Sequence, residues 1–177
     1  MIIKTSNKRD LVLSYFLTYP TRVFHLRELA RVTTVSFPWT RQIVDELHKQ
    51  KLIVKEKKGN IILIKANIDS PSYRVLKRSH NFISLHQCGL VDFLIDKYVR
   101  PEVIVLFGSF EKGEDVEKSD IDIAIISFKE MKLDVTKYER LLEKRISLKT
   151  FTRKQIEKDF WNTLANGTTL YGYLELP

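Results

Sequence analysis

Apolar residues recur at helical spacing in three short segments near the amino terminus. The pattern predicts helices over residues 8–17, 26–32 and 37–50. Ser36 precedes the third segment as an N-cap residue, and Pro38 fits a first turn, where backbone N–H groups have no helical partner. The inward face of this third helix is predicted to carry Ile43, Val44 and Leu47.

Two short β-like runs follow, at residues 52–57 and 60–65, and the sequence Lys58-Gly59-Asn60 joins them as a tight hairpin turn. Together with the helices, the segment LRELARVTTVSFPWTRQIVDELHKQKLIVKEKKGNIILIKAN resembles the winged helix-turn-helix family across residues 7–67. The resemblance implies that the third helix enters the major groove of DNA and that the hairpin contacts phosphates. The DNA-binding residues that it implies are Trp39, Thr40, Arg41, Lys57 and Lys58.

A helical pattern resumes after Asp69-Ser70-Pro71, a combination typical of a helix start. It continues to His86, is interrupted at Gly89 and resumes over residues 90–98. We interpret residues 68–100 as a connecting helical segment, which either packs against the following residues or provides a surface for a homodimer.

The pattern changes from helical to strand-like near residue 103. Residues 103–107 are a continuous apolar run, predicted to be a buried strand, and Gly108-Ser109 follows as a sharp turn that could hold a phosphate. A charged loop or short helix then leads into a second strand over residues 120–127. Because side chains alternate along a strand, Asp120 and Asp122 are expected on one face, about 6–7 Å apart.

Two carboxylates this close repel one another unless a cation lies between them. Mg²⁺ takes oxygen ligands and keeps positions open for substrate phosphates, so it is the expected ion. The spacing therefore predicts a metal site at Asp120 and Asp122. The same site would hold a nucleotide at Gly108, Ser109, Lys118 and Ser119.

The sequence Leu-Phe-Gly-Ser, ten intervening residues and then Asp-Ile-Asp resembles the DNA polymerase beta type of nucleotidyltransferase. The small prokaryotic minimal nucleotidyltransferases are the most similar, and their tails resemble the carboxy-terminal NGTTLYGYL. The resemblance implies an α+β domain with a short mixed sheet flanked by helices. It also implies ATP or another NTP as substrate, Mg²⁺ as cofactor, and an acceptor such as a hydroxyl of a cognate toxin protein.

One position departs from this family. The family supplies a third carboxylate from a later strand, predicted here over residues 145–151 after a helix over 137–144. Ser147 occupies the corresponding position and cannot supply a negative charge. Two interpretations stay open: transfer proceeds with two aspartates and a water or partner group, or nucleotide binding is retained and transfer is weak or lost.

The charge distribution separates the chain into two parts. Residues 1–66 hold 13 Lys and Arg against 5 Asp and Glu, which accounts for the whole net charge of +8. The remaining residues hold 17 of each sign. This asymmetry favours a polyanion-binding module, with phosphate contacts supplying non-specific affinity, although winged helices also act as protein-binding or dimerisation modules.

Composition excludes several classes of protein. The 44% hydrophobic content indicates a folded chain, the single Cys88 cannot form an internal disulfide, and the histidines lack the spacing of a zinc site. No apolar run approaches the roughly 20 residues of a membrane helix, and no signal-peptide pattern is present, so we expect a cytoplasmic protein without membrane contact.

The sequence thus predicts three regions: a winged helix-turn-helix domain at 1–67, the connecting segment at 68–100 and a nucleotidyltransferase-like domain at 101–177. Two functions remain. One is Mg²⁺-dependent transfer of a nucleoside monophosphate to a partner hydroxyl. The other is transcriptional regulation through DNA, with the second domain only binding nucleotide or mediating dimerisation.

Overall fold

The structure is a computed structural model that describes residues 7–59 and 61–177. The chain divides into two compact units, Met1–His80 and Asn81–Pro177, and the division falls within a helix. The predicted start of a strand at Asn60 lies outside the described residues.

The amino-terminal unit contains three helices and a small antiparallel sheet. Its elements are α1 (Lys8–Thr18), β1 (Phe24–His25), α2 (Leu26–Thr33), α3 (Phe37–Lys49), β2 (Ile53–Lys58), β3 (Ile61–Ala66) and the first part of α4 (Pro71–Gln87). The strand order is β1-β3-β2. The three predicted helices and the two strands of the hairpin are confirmed within one or two residues at each end. Strand β1 was not predicted, because two residues give no periodicity and it exists only through its pairing with Leu63 and Ile64.

One apolar core holds this unit together. Helix α3 contributes Ile43, Val44 and Leu47, all buried as predicted. Phe16 of α1 packs edge-on against Phe24 of β1, with ring centroids 5.3 Å apart. Burying side chains of this size stabilises the fold by about 2 kcal/mol each, before the entropy of ordering them is counted.

The carboxy-terminal unit contains a four-stranded mixed sheet and helices. After the end of α4 its elements are α5 (Leu90–Tyr98), β4 (Val103–Phe107), α6 (Gly108–Lys112), β5 (Ile121–Ile126), α7 (Thr136–Leu142), β6 (Ile146–Phe151), one 3₁₀ turn (Arg153–Gln155), α8 (Lys158–Ala165) and β7 (Thr168–Gly172). The strand order is β6-β5-β4-β7. Strands β5 and β6 run parallel, and the other pairs are antiparallel.

The two inner strands of this sheet are almost wholly buried, since every residue of β4 and five of the six in β5 are buried. Trp161 and Leu164 of α8 belong to a core cluster with Val103, Val105 and Phe107 of β4. Alternation places these three side chains on one face of the sheet, so α8 covers that face. The sequence predicted neither α8 nor β7, although the expected buried strand at 103–107 is confirmed residue for residue.

Gly89 separates α4 from α5 as expected, with a left-handed φ of +79° that suits glycine. Among the helices of residues 7–59 and 61–177, none combines the length and apolar character needed to cross a membrane.

Candidate functional site

Strands β4 and β5 bring Gly108 close to the Asp122 carboxylate. The antiparallel register pairs Phe107 with Asp122, so the chain turns at Gly108 beside the Asp122 carboxylate. Gly108 has a φ of +83°, and a Cβ added there would lie 2.7 Å from Asp122 Oδ2. Only glycine accepts both the backbone conformation and the approach of the carboxylate. The predicted turn is therefore the start of helix α6. Gly108, the first residue of α6, lies next to Asp122, the second aspartate of the motif.

Strand β5 begins at Ile121, one residue later than predicted, and ends at Ile126, so Asp120 immediately precedes it. Asp120 is exposed and Asp122 half-buried, whereas Ile121 and Ile123 are completely buried. This is the pattern of a strand with both carboxylates on its wetter face. Neither carboxylate has a hydrogen bond or ion pair with any residue in the described ranges. Among the described residues, no side chain is hydrogen-bonded to or ion-paired with either carboxylate to neutralise the pair.

Strand β6 places Ser147 beside Asp122 in the parallel register. The position next to the second aspartate therefore carries a neutral hydroxyl. Within residues 7–59 and 61–177, no group of three or more His, Cys, Asp or Glu side chains could hold a metal ion. The donor set is two carboxylates, which fits a hard divalent cation that completes its shell with water and phosphate oxygens.

The segment between α6 and β5 closes through a turn at Ser119. The Ser119 backbone N–H donates to the Val116 carbonyl, and Ser119 Oγ accepts from the Val116 N–H at 3.0 Å. The predicted nucleotide-binding role of Ser119 would have to coexist with this contact. Lys118 is exposed in the same turn.

This segment differs from the expected exposed loop, because Asp115 has a side chain with 0% exposure. Its carboxylate accepts from Asn81 Nδ2 at 2.6 Å and pairs with Lys144 Nζ at 3.0 Å. Asn81 also donates to the Phe110 carbonyl at 2.8 Å, so one amide ties α6 and the loop to α4. This cluster could not be predicted from the sequence, since Asp115 and Lys144 lie far apart along the chain and both resemble solvated charges.

A second buried acid, Glu111 of α6, accepts a hydrogen bond from Thr168 Oγ1 at 2.8 Å. Glu111 is 3% exposed. The contact joins the helix after Gly108 to strand β7. Both ends of the turn are therefore fixed by contacts with other elements of the unit.

In the amino-terminal unit, α3 exposes part of the predicted DNA-binding face. Trp39 is 51% exposed, with Lys8 Nζ lying 5.3 Å from its ring centre, and Arg41 is exposed. The prediction for Thr40 is wrong. Thr40 is completely buried, and its hydroxyl donates to the carbonyls of Val35 and Ser36, at 3.2 and 3.1 Å.

The hairpin exposes Lys57 and Lys58 at the end of β2. Acidic groups of α3 are paired with neighbouring cations. Lys55 Nζ donates to Asp45 at 2.7 Å and lowers the pKa of that carboxyl, and Arg9 Nε donates to Glu46 at 2.8 Å. These pairs offset the negative charge on the helix that carries Trp39 and Arg41.

The carboxy-terminal unit combines a four-stranded mixed sheet, a turn at Gly108 and two carboxylates at the start of β5. Residues 91–173 match the family model described as Polymerase beta, Nucleotidyltransferase. The matched range contains all four strands of the sheet together with Gly108, Ser109, Asp120 and Asp122. It supports assignment of this part of the chain to the nucleotidyltransferase superfamily, whose domains generally use an NTP and Mg²⁺. No curated protein and no solved structure matches the chain significantly.

Proposed function

We propose that the carboxy-terminal unit is a Mg²⁺-dependent nucleotidyltransferase that takes ATP or another NTP. The observation that carries the proposal is the close approach of Asp122 to Gly108, within a segment that matches the nucleotidyltransferase family. It brings a carboxylate that has no partner among residues 7–59 and 61–177 next to the backbone turn at which a phosphate would bind.

In this proposal Asp120 and Asp122 hold the divalent cation, which offsets phosphate charge when bound. Gly108 and Ser109 approach the triphosphate through backbone N–H groups and the Ser109 hydroxyl, and Lys118 and Ser119 border the same site. The buried contacts of Asp115 and Glu111 support a rigid turn, which would position the nucleotide without reorganisation.

The reaction would join an acceptor hydroxyl oxygen to the α-phosphorus of the nucleotide. The bond between that phosphorus and the bridging oxygen of the β-phosphate breaks, and pyrophosphate leaves. The hydroxyl proton passes to solvent or to a group of the acceptor, since Ser147 is not a base. An acceptor on a partner protein, such as the tyrosine hydroxyl of a cognate toxin, follows from the resemblance to minimal nucleotidyltransferases.

Incubation of the full chain with Mg²⁺, α-labelled ATP and candidate partner proteins tests this proposal. We expect label on the partner with the wild-type chain and none with Asp120→Asn/Asp122→Asn. Equal labelling by both chains would contradict the role of the carboxylates. Nucleotide binding without labelling of any partner would favour the alternative, in which the unit senses nucleotide or mediates dimerisation.

We further propose that the amino-terminal unit binds DNA as a winged helix-turn-helix. The order of its elements, the exposure of Trp39 and Arg41 on α3 and the lysines at the hairpin end support this function. The excess of +8 within residues 1–66 supports it independently. A mobility-shift titration with DNA upstream of the gene, at several salt concentrations, tests it: binding that is absent, or that does not weaken steeply with salt, would contradict it.

A further inference from the structure

Strand β6 presents a lysine on the face that carries the paired aspartates. The register aligns Ser147 with Asp122 and Lys149 with Ala124, and alternation places Ser147 and Lys149 on the same side of the sheet. Contact geometry agrees, because Lys149 Nζ lies 5.9 Å from the ring centre of Phe107, the β4 residue paired with Asp122.

The Lys149 ammonium has no acidic partner in the part of the chain that the structure describes. No carboxylate among residues 7–59 and 61–177 lies within ion-pair distance of it, and its side chain is exposed. Two other lysines are paired with carboxylates, Lys144 with Asp115 and Lys55 with Asp45. In the described ranges, Asp120 and Asp122 therefore have no cationic partner, and Lys149, near Asp122, has no acidic partner.

The net charge at this position can be compared with that of a site that holds two metal ions. A third carboxylate that holds a second divalent cation contributes one net positive charge to a nucleotide site. A neutral serine at the same place, with a lysine two residues later, contributes the same net charge without a second metal. The triphosphate is negatively charged, and Asp120 and Asp122 add further negative charge to the site, so an additional cation beside them would strengthen binding.

We propose that Lys149 contacts the phosphate groups of the bound nucleotide and supplies the positive charge that a second metal ion would otherwise provide. This inference rests on the proposed function of the same site. The site would then combine a single divalent cation with one ammonium group. The proposal also explains why residue 147 is a serine, because an aspartate there would pair with Lys149 and keep it from the phosphates.

Calorimetric titration of the full chain with a non-hydrolysable ATP analogue and Mg²⁺ tests the inference. Lys149→Met should weaken binding of the triphosphate at least tenfold, the usual loss for one charge-assisted contact, and Lys149→Arg should restore most of it. Adenosine binding should not change. The matched control is Lys97→Met on α5, because Lys97 Nζ lies 5.8 Å from the ring centre of Phe93 in the same type of contact.

The possible outcomes distinguish a failure of the proposed function from a failure of the proposed role of Lys149. If the wild-type chain binds no nucleotide with Mg²⁺, the proposed function and this inference both fail. If wild type binds and Asp120→Asn/Asp122→Asn does not, but Lys149→Met and Lys149→Gln bind like Lys97→Met, only the inference is overturned. It is also overturned if Lys149→Met weakens adenosine and triphosphate equally, because the effect would then not come from phosphate contact.

Discussion

Asp122 lies so close to Gly108 that a single added methyl group at residue 108 would fall 2.7 Å from the carboxylate oxygen. Real Cβ atoms do not approach an oxygen this closely, so either the turn or the carboxylate would have to move. Gly108 begins the helix after β4, and Asp122 lies on β5. Their close approach therefore sets the position of the Gly-Ser turn relative to the Asp-Ile-Asp segment, although a charged segment separates the two in the sequence.

Gly108→Ala is therefore expected to weaken Mg²⁺-nucleotide binding at least tenfold. The control is Gly89→Ala in the same unit, since Gly89 has a similar φ of +79° but nothing within 4 Å of an added Cβ. Both variants should lose about 1 kcal/mol of unfolding free energy from backbone strain, measured by urea denaturation. Only Gly108→Ala should lose nucleotide, measured by calorimetry; equal binding by the two variants would show that the contact has no functional role.

The paired carboxylates predict an effect on stability in the absence of metal. Asp120→Asn/Asp122→Asn removes a like-charge repulsion, so its melting temperature in metal-free, low-salt buffer should rise by about 2 °C. The wild-type chain should gain stability on addition of Mg²⁺ and nucleotide, and the variant should not. Asp92→Asn/Glu130→Gln removes the same charge from two exposed positions that are far apart in the sequence and should produce neither effect. A metal-dependent stabilisation that survives in the double variant would place the ion elsewhere.

The buried pair of Asp115 and Lys144 predicts a large stability effect at positions that the sequence presents as ordinary surface charges. Lys144→Met removes the ammonium from a carboxylate with 0% exposure, and should lower the unfolding free energy by about 3 kcal/mol. Asp115→Asn/Lys144→Met removes both charges and should cost clearly less than the single variant. Equilibrium urea unfolding measures both; a single-variant cost below 1 kcal/mol would indicate that water replaces the lysine.

Local patterns in the sequence were sufficient to predict most helices and strands, but not the tertiary contacts between them. The uninterrupted apolar run at 103–107, bounded by Pro101 and Gly108, predicted β4 with its exact ends. Strand β1 could not be predicted, because two residues become a strand only when β3 lies beside them. Helix α8 was missed because its apolar positions are interspersed with polar residues and its burial depends on the sheet that it covers.

The candidate site shows the same division between local and distant information. The motif predicted that the turn at Gly108 and the aspartates lie together, and the structure brings Gly108 close to Asp122. The resemblance to the family predicted Ser147 at the position of the third carboxylate, and the register places Ser147 beside Asp122. Burial could not be predicted in the same way. Thr40 resembles an exposed helix residue, but the fold turns its hydroxyl toward the backbone before α3.

The burial of Thr40 gives a prediction for DNA binding that distinguishes neighbouring residues of α3. Arg41→Ala should weaken DNA binding and reduce the slope of log affinity against log salt by about 1, as expected for one lost phosphate contact. Thr40→Ala should instead lower the unfolding free energy by about 1 kcal/mol through lost buried hydrogen bonds, with an unchanged salt slope. Fluorescence anisotropy across a salt series measures the slope, and Lys154→Ala in the other unit serves as the charge control. A salt slope reduced by Thr40→Ala would contradict the buried placement.

Substitution of Ser147 distinguishes two kinds of site. In one the third carboxylate is simply missing, and in the other Lys149 supplies the positive charge of the absent second metal ion. If the site merely lacks a carboxylate, Ser147→Asp alone should raise the rate of label transfer. If Lys149 supplies the missing positive charge, the new aspartate should pair with that lysine and give little gain. Ser147→Asp/Lys149→Met should then transfer at least tenfold faster than Lys149→Met alone, with a steeper dependence on Mg²⁺ concentration as a second ion binds. Initial rates over a Mg²⁺ series measure both quantities. Acceleration by Ser147→Asp alone, equal to that of the double variant, would show that Lys149 takes no part in the charge balance.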